Sequence, residues 1–353
     1  SLISANTNPY KDSNFDSIKI PKDSLRINLN YNNLKKITIP TNLRQLNSSE
    51  IDEILNNQVN YNAKQEDFIV NLNYAANNNL IALKIKDGSK AKLELIAESI
   101  QNTFCFTRVI LVVGKNSELD LMQVLLGSKN SAQNNLIEIY LQENAKVNHG
   151  FIANGSLDSA LLSRIEISQD IKSEYCLTAV QHGWEFSRLE PHIVQNNGQA
   201  NSVLKGLQVS KNKNQMATCS KVNFQGPDGT LDQLQKTIAS GKSHSIFNGA
   251  ILVPQSAQKT NAAQLSRNLL LSEKARIDTK PELEIIADDV RCAHGATVSN
   301  LQEEELFYLR SRGINSNQAT ALLLKGYCQE IIDHLPLEGD RWNILNNILN
   351  SVQ

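Results

Sequence analysis

From about Asp67 to Val298 the chain is built of short alternating segments, each introduced by a polar turn. Ala91-Lys92-Leu93-Glu94-Leu95 follows Asp87-Gly88-Ser89, and Ser117-Glu118-Leu119-Asp120-Leu121 follows Gly114-Lys115-Asn116. Ala145-Lys146-Val147-Asn148-His149, Ala275-Arg276-Ile277-Asp278-Thr279 and Val290-Arg291-Cys292-Ala293-His294 have similar leads. Alternation with period two places every second side chain on one buried face, which predicts strands. The units recur at spacings of roughly 15 to 30 residues, the mark of a coiled, repetitive β architecture.

Two arrangements of such strands compete. A sandwich needs hairpin turns such as Asn-Gly; Asn154-Gly155 and Asn248-Gly249 exist, but most of the turns lack that chemistry. A parallel β-helix stacks similar rungs over a continuous inner column, and the repeated units favour it. Stacked in that way, Leu93, Leu119, Val147, Ile277 and Cys292 take equivalent inward places.

After Ser299 the period becomes helical. Ser299-Asn300-Leu301-Gln302 fits a capping box, Glu303 to Glu305 fill a first turn, and Arg310 and Arg312 fill a last one. Gly313 ends that helix. A second helix starts at Ser316 with apolar residues at Ala319, Leu322, Leu323, Tyr327, Ile331 and Leu335, and Pro336 stops it. A third spans Trp342 to Leu349. These helices either cap the open end of the β domain or dock a partner. Before the strands the chain is polar and irregular, apart from a helix start at Ser48-Ser49-Glu50. The expected units are residues 1–70, irregular and partly helical; 71–299, the β-helix; and 300–353, helical.

Composition narrows the function classes. With 353 residues and a net charge of −1, the chain has no basic excess for a nucleic-acid partner. No apolar run is long enough to cross a bilayer, and Ser1-Leu2-Ile3 is too short a start for a signal peptide. Abundant asparagine reads as a compositional bias. Five scattered cysteines, none in a CxxC pair, argue against disulfides or a self-contained metal site, and for a reducing, cytoplasmic setting.

The candidate chemistry centres on Cys292 and His294. On a strand these positions point to one side, roughly 6.6 Å apart. Thiolate and imidazole both bind iron, and thiolates hold most iron–sulfur clusters. Two ligands do not complete a tetrahedral site, so any metal here draws further ligands from another chain or from sulfide. The structural alternative packs Cys292 in the core and hydrogen-bonds His294 near the rim. Other features carry less. Ser240-Gly241-Lys242-Ser243 lacks the preceding glycine of a phosphate loop, with Lys236 in its place. Asp288 and Asp289 beside Arg291 face opposite sides and read as a solvated turn rather than an acid–base pair. His182, near Trp184, and His192 read as surface or rim residues without partners. Cys105, Cys176, Cys219 and Cys328 read as buried small hydrophobes.

The segment Phe247 to Gly313 carries a longer pattern. It contains Phe247-Asn248-Gly249, Ala257-Gln258-Lys259-Thr260, Gln264 and Arg267-Asn268-Leu269-Leu270-Leu271-Ser272. It continues through Asp278-Thr279-Lys280-Pro281-Glu282-Leu283-Glu284-Ile285, Asp288-Asp289-Val290, Cys292-Ala293-His294-Gly295-Ala296-Thr297 and Leu306 to Ile314. This segment resembles the SufB/SufD family of iron–sulfur cluster assembly proteins. It is similar to the SufD side, because a SufB-type chain would read HTxPYIE at Asp278 to Glu284 and HEATTS at His294 to Ser299. Pro21 to Lys36 are similar to the family's N-terminal segment, with Leu25 where an aromatic is usual, and the N-terminal helices look shortened or diverged. The resemblance implies a mainly β fold, a right-handed parallel β-helix with a short N-terminal region and an α-helical C-terminal region. It implies pairing with a SufB-type subunit, docking of a SufC-type ATPase through the C-terminal helices, and a non-catalytic scaffold role. No cofactor is expected to be bound tightly by this chain alone; iron or a cluster would visit His294, with or without Cys292, at an interface. Alternatives from other classes are a β-helix polysaccharide lyase or hydrolase, which needs carboxylates and bases converging from neighbouring rungs, and a structural partner that never touches metal. A homodimer, paired two-fold through the β-helix, is a further expectation.

Overall fold

The structure, a computed structural model, describes residues 18–30, 38–62, 67–76, 80–156 and 158–352. The start Ser1-Leu2-Ile3 and the Tyr31 to Lys36 part of the N-terminal resemblance lie outside the described residues. The chain begins with β1 (Leu25–Asn28), β2 (Leu43–Gln45), α1 (Ser48–Asn62) and α2 (Phe68–Ala76). Strands follow without a break in kind: β3 (Leu80–Ile85), β4 (Lys90–Glu98), β5 (Phe104–Val113), β6 (Glu118–Leu126), β7 (Ala132–Leu141) and β8 (Lys146–Asn154). Next come β9 (Ala160–Gln169), β10 (Glu174–His182), β11 (Phe186–Gln195), β12 (Asn201–Ser210) and β13 (Gln215–Phe224). The series ends with β14 (Thr230–Ala239), β15 (His244–Val253), β16 (Asn261–Leu270), β17 (Arg276–Ile285) and β18 (Arg291–Asn300). The helices α3 (Glu303–Ser311), α4 (Ser316–Ile332) and α5 (Ile344–Val352) close the chain.

From β3 on, each strand pairs in parallel with the strand two places on, so the chain coils into a parallel β-helix of about eight turns. Two nine-stranded sheets face each other, one ordered β1-β4-β6 to β18 and the other β17-β15 to β3-β2. Among the described residues only β2 and β3 pair antiparallel. The Asn248-Gly249 pair lies inside β15 and makes no hairpin.

The corners explain much of the sequence. Gly88, Asn102, Asn116, Asn130, Asn144, Asp158 and Lys172 all have positive φ, in steps of 14 residues. Each marks one corner between a strand of one sheet and a strand of the other. Glycine has no Cβ to clash there, and Asn or Asp can hydrogen-bond locally, so these types tolerate the left-handed region best. Asparagine at 102, 116, 130, 144 and 212 therefore has a structural use that a general compositional bias does not describe.

Ladder register sorts the inward columns. Leu119, Val147, Tyr175, Ser202, Leu231, Ala262 and Cys292 stack in one column. Leu93 lies in the neighbouring column, which runs through Leu121, His149, Leu177, Leu204, Gln233 and Gln264 to His294. Ile277 belongs to the opposite sheet, opposite Ser245. The equivalence expected of Leu93 and Ile277 is therefore corrected. A two-residue shift keeps a side chain on the same face, so alternation alone does not distinguish these positions.

The C-terminal helices do not cap the end of the β-helix. Leu324, Cys328, Ile331 and Ile332 of α4, with Trp342, Ile344 and Ile348, pack on the outward column Ile96, Val124, Ile152, Val180 and Leu207 of the first sheet. That stretch of sheet is apolar on both faces, so its outer side needs a cover. The expected capping box at Ser299 does not form, because β18 runs on to Asn300 and α3 starts at Glu303 without a side-chain cap. In α4 the Asn315 side chain accepts from the Gln318 N–H, and in α1 the cap is Asn47, with Glu50 bonding back to the Asn47 N–H at 2.9 Å.

Candidate functional site at the open end of the β-helix

The last rung consists of β17 and β18, and each is the outermost strand of its sheet. Nothing among the described residues covers it. The inward positions of earlier rungs are buried, whereas those of β18 become progressively exposed. Val298 is 48% exposed, Ile285 40% and Ile286 59%, although alternation aims Val298 and Ile285 into the bore. The end of the β-helix is thus an apolar bore cut open, rimmed by unpaired strand edges.

Cys292 and His294 both lie on the inward face of β18, above Ala262 and Gln264. The structure brings them onto one side, as the spacing requires. Cys292 is half-buried against the core, and His294 is exposed through the open end. Burial pushes the Cys292 thiol up, and a hydrogen bond to the Ala262 backbone opposes it less strongly. The rung beneath is polar. Gln264 donates to Gln233 Oε1 at 2.8 Å, and Gln233 donates to Ser220 Oγ at 2.8 Å. Across the bore Thr279 bonds Ser266 at 2.9 Å. Among the described residues no three His, Cys, Asp or Glu side chains converge as a metal site.

The remaining candidates are placed elsewhere. Asp288 and Asp289 sit in the turn before β18, where Asp288 accepts from Gln255 at 3.0 Å. Ser240 to Ser243 form a corner between β14 and β15, with Gly241 at φ +68°. His182 is buried, not at the rim, and His192 meets Arg164, with Nη1 to Nε2 at 2.9 Å. Their polar sequence surroundings conceal this, because outward residues in a β-helix are covered wherever a helix or loop lies over the sheet. Of the cysteines other than Cys292, only Cys328 is fully buried; Cys105, Cys176 and Cys219 are half-buried.

Two features leave little trace in the sequence. On the outer face of the second sheet Arg164 is buried and pairs with Glu190 at 2.8 Å, with Glu166 at 3.2 Å and with Asp67. Burial raises Glu166 to about 7, with Arg164 pulling the other way. These groups converge from neighbouring rungs, as a hydrolytic site would need, but all three carboxylates are engaged by the one guanidinium, which ties the start of α2 to the sheet. The second feature is the polar interior of the later rungs, with Gln181 donating to Gln208 at 3.0 Å on the rungs below the Gln233–Gln264 pair. Its signal was the run Gln233-Leu234-Gln235, in which alternation turns the glutamines inward.

Comparison with known proteins agrees with this geometry. Residues 95–327 match the family model described as SUF system FeS cluster assembly, SufBD core domain. An iron–sulfur cluster assembly SufBD family protein of Synechocystis is 43% identical over 205 residues, covering 58% of this chain and 45% of the relative. SufD of Escherichia coli is 47% identical over 116 residues, covering 33% and 27%. SufD of Bacillus subtilis is 28% identical over 263 residues, covering 71% and 59%. In each case the match covers less than two thirds of the relative's own length. The open-ended parallel β-helix, the matched core and these relatives together establish that this chain belongs to the SufB/SufD family of SUF iron–sulfur cluster assembly proteins, on its SufD side.

Proposed function

We propose that the chain is a non-catalytic scaffold subunit of an iron–sulfur cluster assembly complex, and that its open end is half of a shared site. The observation that carries this reading is the last rung, where Cys292 and His294 face out of an uncovered bore between two unpaired strand edges. Edge strands and exposed inward apolar residues call for a partner of the same architecture, whose own last rung continues both sheets. A SufB-type subunit fits that description, and a second copy of this chain would fit it through a two-fold axis. Cys292 and His294 then supply two donors toward an iron ion or nascent cluster, and the partner or sulfide supplies the rest. The iron is cargo, held only while the interface is assembled. Reducing conditions such as those of a cytoplasm suit five free thiols.

The helices that follow the last rung are the proposed dock for a SufC-type ATPase. No residue of α3 is buried, and Phe307 is 72% exposed. Apart from its contact with α4, this helix leaves its side chains to solvent, as a docking helix would. Because α3 leaves β18 directly, movement of a docked ATPase would pull on the strand that carries His294.

The test is cluster formation by the complex reconstituted from this chain, a SufB-type subunit and a SufC-type ATPase. His294→Ala is expected to lower cluster yield by about tenfold or more while the complex still assembles. An unchanged yield would remove His294 from the site and leave a purely structural subunit.

A further inference from the structure

We infer that Gln264 is the positioning residue of His294, holding its imidazole in one tautomer with the outer ring nitrogen free to bind. This rests on the reading of His294 as a ligand. Gln264 is buried, and His294 is its ladder partner on the next strand, on the same inward face. Neighbouring strands lie about 4.8 Å apart, so the two side chains stack within reach of one another.

The direction of the amides decides what Gln264 presents. Gln233 gives its N–H to Ser220, and its carbonyl takes the N–H of Gln264. The Gln264 amide is thereby turned with its oxygen away from Gln233. That oxygen, Oε1, is buried and has no hydrogen-bond partner. A buried acceptor left unpaired is unfavourable, so the chain gains by offering it a donor. The inner N–H of His294 is the donor one rung away. Once that nitrogen carries the proton, the other has only its lone pair and faces the open end. Metal-bound histidines are commonly oriented in this way by an acceptor on the far nitrogen.

The space for this amide is built into the opposite strand. Gly249 faces Gln264 across the bore, and a Cβ there would collide with Gln264 Nε2 and with Phe247. A related contact occurs deeper in the coil, where Gln123 reaches His149 from the neighbouring inward column. Gln123 gives its N–H to Asn135 at 2.7 Å, and its carbonyl lies 3.1 Å from His149 Nε2, while Tyr175 Oη lies 2.9 Å from Nδ1. There too an oriented glutamine assigns the imidazole tautomer.

The experiment is nitrogen NMR of the full chain labelled in its histidine rings, without metal, at a pH where the ring is neutral. His294 is identified by loss of its signals in His294→Ala. The wild type is expected to show one dominant tautomer at His294. In Gln264→Met that preference should disappear, in Gln264→Glu it should persist, and Gly249→Ala should disturb it without altering either residue. Iron(II) affinity, measured in the assembled complex, should fall about 10- to 100-fold in Gln264→Met. Far-ultraviolet circular dichroism checks that each variant folds. An unchanged tautomer in folded Gln264→Met and Gly249→Ala overturns the inference, whatever His294→Ala does to cluster yield. A tautomer that depends on Gln264, together with an unaffected yield in His294→Ala, upholds the positioning role and rejects the ligand reading instead.

Discussion

At the scale of single residues, burial sets the chemistry more than identity does. His149 and His294 occupy one inward column, yet His149 is fully enclosed and His294 is open to solvent. Burial drives the His149 imidazole down to about 3, from an ordinary value near 6.5. The sign of the resulting pH effect follows directly. Between these values the unfolded chain binds a proton that the folded chain refuses, so stability is complete above about pH 6.5 and is lost as pH falls toward 3. His149→Gln should flatten the fall in stability over that window, by up to about 1.4 kcal/mol per pH unit, as read by urea unfolding at several pH values. An unaltered slope would mean that His149 does not carry the effect. The alternation showed that Cys292 and His294 share a side of a strand. It was silent on exposure, because exposure depends on the lack of a further rung above them.

At the scale of elements, the C-terminal helices are held by a few buried charges as well as by apolar packing. Glu94 on β4 is fully buried and accepts from Arg26 at 2.6 Å, from Trp342 Nε1 at 3.2 Å and from Arg341. It thus joins the N-terminal strand to the C-terminal segment, its own bond to Trp342 spanning 248 residues of sequence. Glu94→Leu leaves two guanidinium groups without their anion, and a loss of about 3–5 kcal/mol is expected in urea unfolding. Lys236 does the same for α4: it donates to the Tyr327 carbonyl at 2.8 Å, lies 3.9 Å from the Tyr327 ring centroid and pairs with Glu330. Lys236→Ala should therefore speed hydrogen exchange in α4 while the strands of the β-helix keep their protection. Equal loss of protection in both would show that α4 and the β-helix open as one unit. The helical periods were legible in the sequence, but their resting place was not. Leu322 belongs to the periodic apolar set and is nevertheless 49% exposed, whereas Cys328 is buried against the sheet.

At the scale of the whole molecule, the β-helix is closed along its sides and open at its last rung. The outer face of the first sheet is covered by α4 and α5 from Ile96 on β4 to Leu269 on β16, and α1 lies over Ala82, Ile110 and Val112 of the second. The edges of β17 and β18 are uncovered among the described residues, and no helix there is long and apolar enough to cross a membrane. Ile285→Lys with Val298→Lys should weaken association through this end by at least about tenfold, as measured by sedimentation of the chain alone or with a SufB-type subunit. Unchanged association would place the contact elsewhere. Sequence alone determined the strand content, the repeat and the family, because alternation and corner residues are local properties repeated at each rung. It also placed Cys292 and His294 on one strand face, since that needs only a period of two. Which column each inward residue joins, which glutamine lies beneath His294 and which end of the coil stays open were decided by the tertiary structure. Those facts depend on residues some 30 positions apart becoming neighbours, and only the stacking of rungs makes them so.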